Sequence, residues 1–396
     1  MNLFATLPHE TRRLLDGVPA LIDKTFPLPG RFRSQLPANV AELSHLLTSG
    51  RGERGLSYLG RPNLLSAYLR FFLPWNLYRL CRLLPGLNIG LSANDVVTDL
   101  GCGPLTFAAA LWICRPDLRA VPLEFQCIDR SGPALEAGRK FFDALTGATP
   151  DGKNRPWKIR VSKTEVGTGR AKPGDQSRAA LVCAANVFNE MYGDISRCGA
   201  ENLKRNAEKS ARLLETYAAA ESSILVVEPG FPRCGEFIGL LRNALMERGR
   251  SPLSPCPHDK GCPFLDSTKA GKKRWCHFAF ETGDAPKDLL RLSLSAGIPK
   301  ERAVLSFVFA GKPEAAPAKS PPPGAGAANL RIISDAFPLP HWRLGRYACS
   351  DRGLVLLTGQ ESAVAKTCSG ALVNGVFKNG ARDAKSGAPV AELGEV

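Results

Sequence analysis

The sequence predicts an α/β protein: a seven-stranded, mainly parallel sheet with its last strand reversed, preceded by helices and interrupted by a cysteine-rich insertion. Three observations carry this. From Asp95 onward, apolar runs alternate with helical segments, the pattern of a parallel sheet. The first run, Val96-Val97-Thr98-Asp99-Leu100, turns through Gly101-Cys102-Gly103-Pro104 into an apolar helix. With 396 residues the chain is long enough for one large core with additions, or for two domains.

Composition narrows the function classes. A formal net charge of +15 points to an anionic partner, nucleic acid before a membrane surface. No apolar run reaches the length of a membrane span, and the first residues lack the basic, apolar and small-residue regions of a signal peptide. A soluble intracellular protein is expected. Twelve cysteines then read as thiols rather than a disulfide framework, and any cluster among them reads as a metal site.

Residues 1–90 are expected to be helical, with Leu14, Val18, Leu21 and Ile22 at helical spacing, and Leu64, Leu65, Tyr68 and Leu69 likewise. One helix is expected to end at Phe71-Phe72-Leu73-Pro74-Trp75 and another to begin at Asn76. The basic, glycine-punctuated stretch from Arg51 to Pro62 reads as a solvated loop, a cap over a cofactor, or a phosphate contact.

Expected strands are Val96–Leu100, Leu123–Ile128, Trp157–Val161, Ala179–Ala184, Ser223–Val227, Ala303–Phe309 and Gly353–Thr358, the last running antiparallel beside its predecessor. The glycine turn after the first strand lets a ligand lie against the main chain, and the helix beyond it points free N–H groups at that ligand. Leu105 stands where a third glycine of a dinucleotide fingerprint would be. The second strand ends in Asp129, where a carboxylate can accept hydrogen bonds from the two ribose hydroxyls of a cofactor. The fourth ends in Asn186-Val187-Phe188-Asn189 and the fifth in Val227-Glu228-Pro229-Gly230.

The densest chemistry follows the fifth strand. Pro255-Cys256-Pro257-His258-Asp259-Lys260-Gly261-Cys262-Pro263 precedes Arg274-Trp275-Cys276-His277-Phe278, and a fourth thiol, Cys349, precedes the last expected strand. Thiolates so packed suit zinc or an iron–sulfur centre. Structural zinc ligands usually pair at two to four residues' spacing, whereas Cys256 and Cys262 have five residues between them. His258 and His277 read as neighbours of the thiols rather than ligands. The other eight cysteines, Cys368 among them, read as ordinary thiols. Lys269, Lys272, Lys273, Arg274, Arg343, Arg346 and Arg352 flank this region as an expected phosphate-binding surface.

The Asp-x-Gly-x-Gly-Pro turn, Val-Glu-Pro-Gly, Cys-Pro-His-x-x-x-Cys-Pro, Trp-Cys-His-Phe and a distant cysteine together resemble the methyltransferase-like proteins of small-ribosomal-subunit assembly. That family is known from mitochondria and bacteria and lies within the class I S-adenosylmethionine (SAM) methyltransferases, whose Rossmann-like sheet has seven strands with a reversed last one. The resemblance runs from about Tyr58 to Leu357. It implies a four-iron, four-sulfur (4Fe-4S) cluster on Cys256, Cys262, Cys276 and Cys349, and SAM held by Asp99, Gly101, Gly103 and Asp129. Asn186 stands where base-amine methyltransferases carry an Asn or Asp before two prolines and an aromatic; the prolines are absent, and it is the one candidate for a catalytic or cofactor contact there.

The expected organisation is a helical region (1–90), a SAM-binding core (91–249), a cysteine-rich insertion (250–282), the end of the core (283–360, with a flexible Pro/Ala/Gly-rich insertion at 312–328) and a tail (361–396) bearing a short strand pair around Ala371–Phe377 with a turn at Lys378-Asn379-Gly380. The expected function is a SAM-binding protein acting on, or docking to, small-subunit ribosomal RNA. Two alternatives stand beside it: a non-catalytic RNA-binding assembly factor, and a small-molecule methyltransferase. The expected place is the cytoplasm of a bacterium, or the mitochondrial matrix if the chain is eukaryotic.

Overall fold

The computed structural model describes residues 2–4, 6–48, 50, 58–150, 152, 155–167, 178–193, 195–265, 274–312 and 326–394. Of the sequence features above, residues 51–57 of the basic loop, Lys269, Lys272, Lys273 and most of the Pro/Ala/Gly-rich insertion lie outside them.

Among the described residues, fourteen strands form two sheets. β1 (Asp95–Leu100), β2 (Leu123–Asp129), β3 (Lys158–Lys163), β4 (Ala179–Ala185) and β5 (Ala218–Pro229) run parallel in the order 3-2-1-4-5. β1 is buried at five of its six positions, Thr98 and Asp99 included, as a strand in the middle of a parallel sheet covered on both faces is. The next strand, β6 (Ser251–Ser254), lies at the far edge of the sheet. β7 (Phe278–Glu281) and β8 (Arg302–Gly311) follow, and β8 pairs antiparallel with β5, β6 and β7 alike. The sheet therefore has eight strands, not the expected seven. β6 and β7 escaped notice because each is four residues long, and β6 contains a proline.

The larger correction concerns the strand expected to close this sheet, Gly353–Thr358. It belongs to a second sheet made of β9 (Ala327–Ile332), β10 (Phe337–Leu339), β11 (Arg343–Ser350), β12 (Gly353–Gln360), β13 (Leu372–Arg382) and β14 (Pro389–Leu393). The strand beside β5 that runs against it is β8. Residues expected to finish the core and to trail off as a tail thus build one substructure with its own apolar centre of Leu330, Ile332, Val355, Leu357 and Ala391. The insertion after Lys312 joins two sheets rather than two strands of one hairpin. The expected turn at Lys378-Asn379-Gly380 is an irregularity inside β13, where the register with β14 shifts between Phe377 and Arg382.

Helices cover the first sheet. Thr106–Cys114, which follows the glycine turn, is buried at every position, as a helix sandwiched between layers must be. Gly132–Gly147 starts at Ser131, whose hydroxyl accepts the N–H of Ala134. Pro232–Met246 leads from β5 toward the cysteine loop. In the N-terminal region the expected break at Pro74 does not occur. Pro62–Ala67 passes through a π-helical stretch, Tyr68–Phe72, into Leu73–Leu83. A proline inside a helix removes one N–H and crowds the carbonyl four residues back; the wider turn just before it makes the room, and such turns gather at functional sites. No helix among the described residues is long and apolar enough to cross a membrane.

Candidate functional site

The glycine turn is a sharp reversal held from both sides. Gly101 and Gly103 have φ of +65° and +52°, conformations that side-chain-bearing residues rarely adopt. The N–H groups of Gly101 and Cys102 donate to the Ile128 carbonyl at 2.7 and 3.1 Å. Asp129 completes the lock: its two carboxylate oxygens accept the N–H groups of Gly103 (2.9 Å) and Ser131 (2.7 Å).

Leu105 is left-handed too, with φ 57°, at a cost of roughly 1–2 kcal/mol. Its side chain is fully buried and faces Gly138 on the next helix, where an added Cβ would lie 2.9 Å from Leu105 Cγ and 2.5 Å from the Pro104 carbonyl carbon. The close approach usually provided by a third glycine is supplied from the opposite helix. Gly138→Ala is therefore expected to destabilise the fold by about 1–3 kcal/mol through overpacking, measured as a lowered unfolding midpoint in urea; an unchanged midpoint would show that the turn can give way.

Beside the turn opens a cleft of about 530 Å³, and Gly101, Gly103, Asp129 and Asn186 all line it. Asp99 lies beneath, 1% exposed, on a chamber of about 20 Å³ that Gly101 and Asn186 share. Its Oδ2 has no hydrogen-bond partner among the described residues, and burial first, then the Asp129 carboxylate, raises its pKa well above the ordinary value. Burial also raises that of Asp129, against the two backbone donors that lower it. Tyr58, Leu59 and Tyr68 close the cleft from the N-terminal region, and the Tyr58 hydroxyl reaches Glu190 at 3.3 Å. At its C-terminal end, the basic loop read as a possible cap does meet the cleft.

Asn186 adopts φ 59°, which Asn tolerates better than most residues, and its N–H donates to Val227 O at 2.8 Å. The loop after it is pinned by a residue to which sequence reasoning gave no role. Glu228, fully buried, accepts from Phe188 N (2.8 Å), Asn189 N (3.3 Å) and Asn189 Nδ2 (2.7 Å). Burial pushes its carboxyl up to about 7 although all three donors pull it down. The unfolded chain releases this proton at lower pH than the folded one. This group's contribution to stability is hence greatest below its ordinary value near 4.5 and is lost as pH rises to about 7. Glu228→Gln should flatten the fall of melting temperature across that window; parallel profiles for parent and variant would refute the assignment.

The four sequence-predicted thiols converge at a second place. Cys256 and Cys262 follow β6, Cys276 precedes β7, and Cys349 comes from β11 of the other sheet. Burial raises the Cys276 thiol well above its ordinary range, and Cys256, Cys262 and Cys349 raise it further. Cys349 responds in the same way to burial, Cys256 and Cys262. Two buried arginines, neither anticipated, face the group. Arg242 directs Nε at Cys256 Sγ (3.1 Å) and Nη2 at the His258 carbonyl (2.9 Å). Arg331 of β9 donates to Pro255 O (2.8 Å) and Gly370 O (2.7 Å). Its charge is felt by the Cys256, Cys276 and Cys349 thiols. His258 Nε2 lies 3.4 Å from Cys349 Sγ, while His277 stacks on Trp275 with ring centres 4.9 Å apart.

Among the described residues, the one group of three potential ligand atoms all within 4.8 Å of each other is Asp99, Cys102 and Cys127 under the glycine turn. No three of the four converging sulfurs are therefore that close. Of the basic residues expected on a phosphate-binding surface, Arg346 is buried and spends its guanidinium on the carbonyls of Ser334 and Thr367. It holds the second sheet together rather than facing a ligand.

Residues 175–335 match a family model described as mitochondrial small ribosomal subunit Rsm22. Over that stretch the chain is Rsm22-like. The Rsm22 match takes in β4 to β9 and three of the four thiols, Cys256, Cys262 and Cys276. No curated protein matches the chain. Among solved structures, a precorrin-6y C5,15-methyltransferase from Geobacter metallireducens is 11% identical, covering 61% of this chain and 86% of its own, with a TM-score of 0.32. The rRNA methyltransferase aviRa from Streptomyces viridochromogenes is 12% identical over 38% of this chain and 73% of its own, TM-score 0.29. A SAM-dependent methyltransferase from Thiobacillus denitrificans, in complex with S-adenosyl-L-homocysteine, is 11% identical over 60% and 91%, TM-score 0.31.

Proposed function

We propose that this Rsm22-like chain binds SAM in the cleft beside the glycine turn, acts on or docks to the RNA of the small ribosomal subunit, and is stapled by a 4Fe-4S cluster on Cys256, Cys262, Cys276 and Cys349. The cleft carries the reading. Gly101, Gly103 and Asp129 line it, and Asp99 Oδ2, on the adjoining chamber, has no hydrogen-bond partner among the described residues. The Asp129 carboxylate adds to the burial that raises the proton affinity of Asp99; a pair of carboxylates so placed favours a cation, and the ammonium and sulfonium of SAM are cations.

SAM would supply an electrophilic methyl group there. Asp129 holds the ribose, Gly101 and Gly103 let the ligand lie on the backbone, and Asn186, on a loop held by Glu228, faces the acceptor. Transfer then needs mainly positioning of that acceptor. Calorimetry with SAM, followed by label transfer from methyl-tritiated SAM to small-subunit RNA, tests the two halves separately. Binding without transfer leaves the assembly-factor reading; neither binding nor transfer ends the proposal.

For the thiols, the spacing of the sulfurs favours iron–sulfur over zinc. A tetrahedral zinc with bonds of about 2.3 Å brings its sulfurs to roughly 3.8 Å from one another. No three of the four sulfurs lie within 4.8 Å of one another, a wider spread than that zinc set, and a 4Fe-4S core is the larger of the two. Arg242 and Arg331 offset the negative charge such a set would carry. Purification without oxygen should give brown protein with iron and sulfide in equal amounts; colourless protein with one zinc per chain would replace the cluster by zinc on the same four residues.

A further inference from the structure

β9, β11, β12, β13 and β14 close into a barrel. β9 pairs antiparallel with β11 (Ala348↔Ile332, Cys349↔Arg331) and with β13 (Leu372↔Arg331 to Val376↔Ala327). β12 has β11 antiparallel on one side and β14 parallel on the other, and β14 returns antiparallel to β13. Numbered within the barrel, the order is 1-2-3-5-4-1, with one parallel pair between strands 3 and 5. A short helix, Glu361–Val364, sits between strands 3 and 4. This is the connectivity of an OB-fold, whose strands 2 and 3, with the loops between strands 1 and 2 and between strands 4 and 5, form an oligonucleotide-binding face.

A fold does not carry a function by itself, but the residues on that face do. The turn between strands 1 and 2 ends in His341 and Trp342, with φ of 61° and 56°. Two successive left-handed residues that are not glycine are costly. Their result here is an indole that is 90% exposed, more than any other large apolar side chain described. Backbone strain kept at an exposed aromatic is the mark of a ligand contact.

Along β11, Ala348 points into the barrel, so Tyr347 and Arg343 point out. The half-buried Tyr347 ring lies 5.2 Å from the Phe337 ring and 5.2 Å from the Arg274 guanidinium. The loop between strands 4 and 5 borders the same ring, since Tyr347 donates to Asp383 at 2.9 Å. Beside Trp342, Arg343 and Lys378 share one carboxylate, Glu392, at 2.7 and 2.8 Å. The outer face therefore combines aromatic rings with excess positive charge, which suits a strand whose bases are free to stack and whose phosphates need neutralising.

We propose that this barrel binds single-stranded RNA, with Trp342 and Tyr347 stacking bases and Arg274, Arg343 and Lys378 meeting phosphates. The choice of RNA over DNA rests on the proposed small-subunit role; the choice of a single strand rests on the rings, because a duplex hides its base faces. The test is fluorescence anisotropy of the full chain with labelled 12-nucleotide RNA and DNA of one sequence, single-stranded and duplex. Trp342→Ala should weaken single-stranded RNA binding about tenfold or more, Trp342→Phe should restore most of it, and both should keep the parental melting temperature and SAM affinity. Parental RNA affinity in Trp342→Ala, or equal affinity for the duplex, would overturn the barrel as the binding face while leaving the small-subunit reading standing. Equal affinity for single-stranded DNA would overturn RNA as its ligand. A parent that binds no RNA at all would instead remove the small-subunit reading.

Discussion

Replacing Cys349 with serine should empty the four-thiol site and destabilise the protein by more than Gly138→Ala does. Three of the thiols come from the loop joining β6 and β7, and the fourth comes from the barrel. A metal centre held by all four links the two sheets, and binding energy at such a site is folding energy. The link also closes a long loop, since Cys276 and Cys349 are far apart in the chain. Losing the centre leaves Arg242 and Arg331, 2% and 6% exposed, beside neutral thiols in place of a negatively charged centre. Stranding one side of a buried charge arrangement costs about 3–5 kcal/mol by itself. Metal content and thermal stability should fall together in Cys349→Ser and stay parental in Cys368→Ser. Full metal content in Cys349→Ser would exclude it as a ligand, and His258, 3.4 Å from its sulfur, would take its place.

Asp129→Ala should abolish measurable SAM binding or reduce it by two or more orders of magnitude. The carboxylate already accepts two backbone N–H groups that shape the glycine turn, and in the proposed complex it also takes the ribose hydroxyls. Charge-assisted hydrogen bonds are worth about 1.5–3 kcal/mol each, so loss of two is about 3–6 kcal/mol. Because burial raises the Asp129 pKa, affinity should decline on acidification at a higher pH than an ordinary aspartate would impose. Calorimetry from pH 5 to 8 reads both effects. Unchanged affinity in the alanine variant would remove Asp129 from the site.

The parallel half of the fold was open to reading because its strands carry apolar residues, in runs such as Leu225-Val226-Val227 or in alternation as in β3, and are bounded by turns or helices. The barrel was not. Leu354-Val355-Leu356-Leu357 announces a strand, but an apolar run has no way of naming its partner, and β12 pairs with β11 and β14 rather than with β8. Cys349 was expected just before the last strand of the first sheet, a strand that belongs to the second sheet instead. It arrives by way of the barrel, through the pairing of β11 with β9. The arginines were invisible for a different reason. Arg242 sits in an otherwise amphipathic helix and Arg331 in a short strand, and only packing shows that both are buried against sulfur. Glu228 stood in plain view in Val-Glu-Pro-Gly, yet its three donors come from the loop after β4.

The contact between Leu105 and Gly138 has a consequence for how this turn is inherited. An added Cβ at 138 would meet the Pro104 backbone at 2.5 Å as well as the Leu105 side chain at 2.9 Å, so position 138 answers to two neighbours at once. Glycine at position 105 would remove the second contact but not the first, so glycine at 138 is required whichever residue stands at 105. Across descendants position 138 should stay glycine while position 105 varies, and a search that scores the turn by its own residues will overlook the glycine on the facing helix.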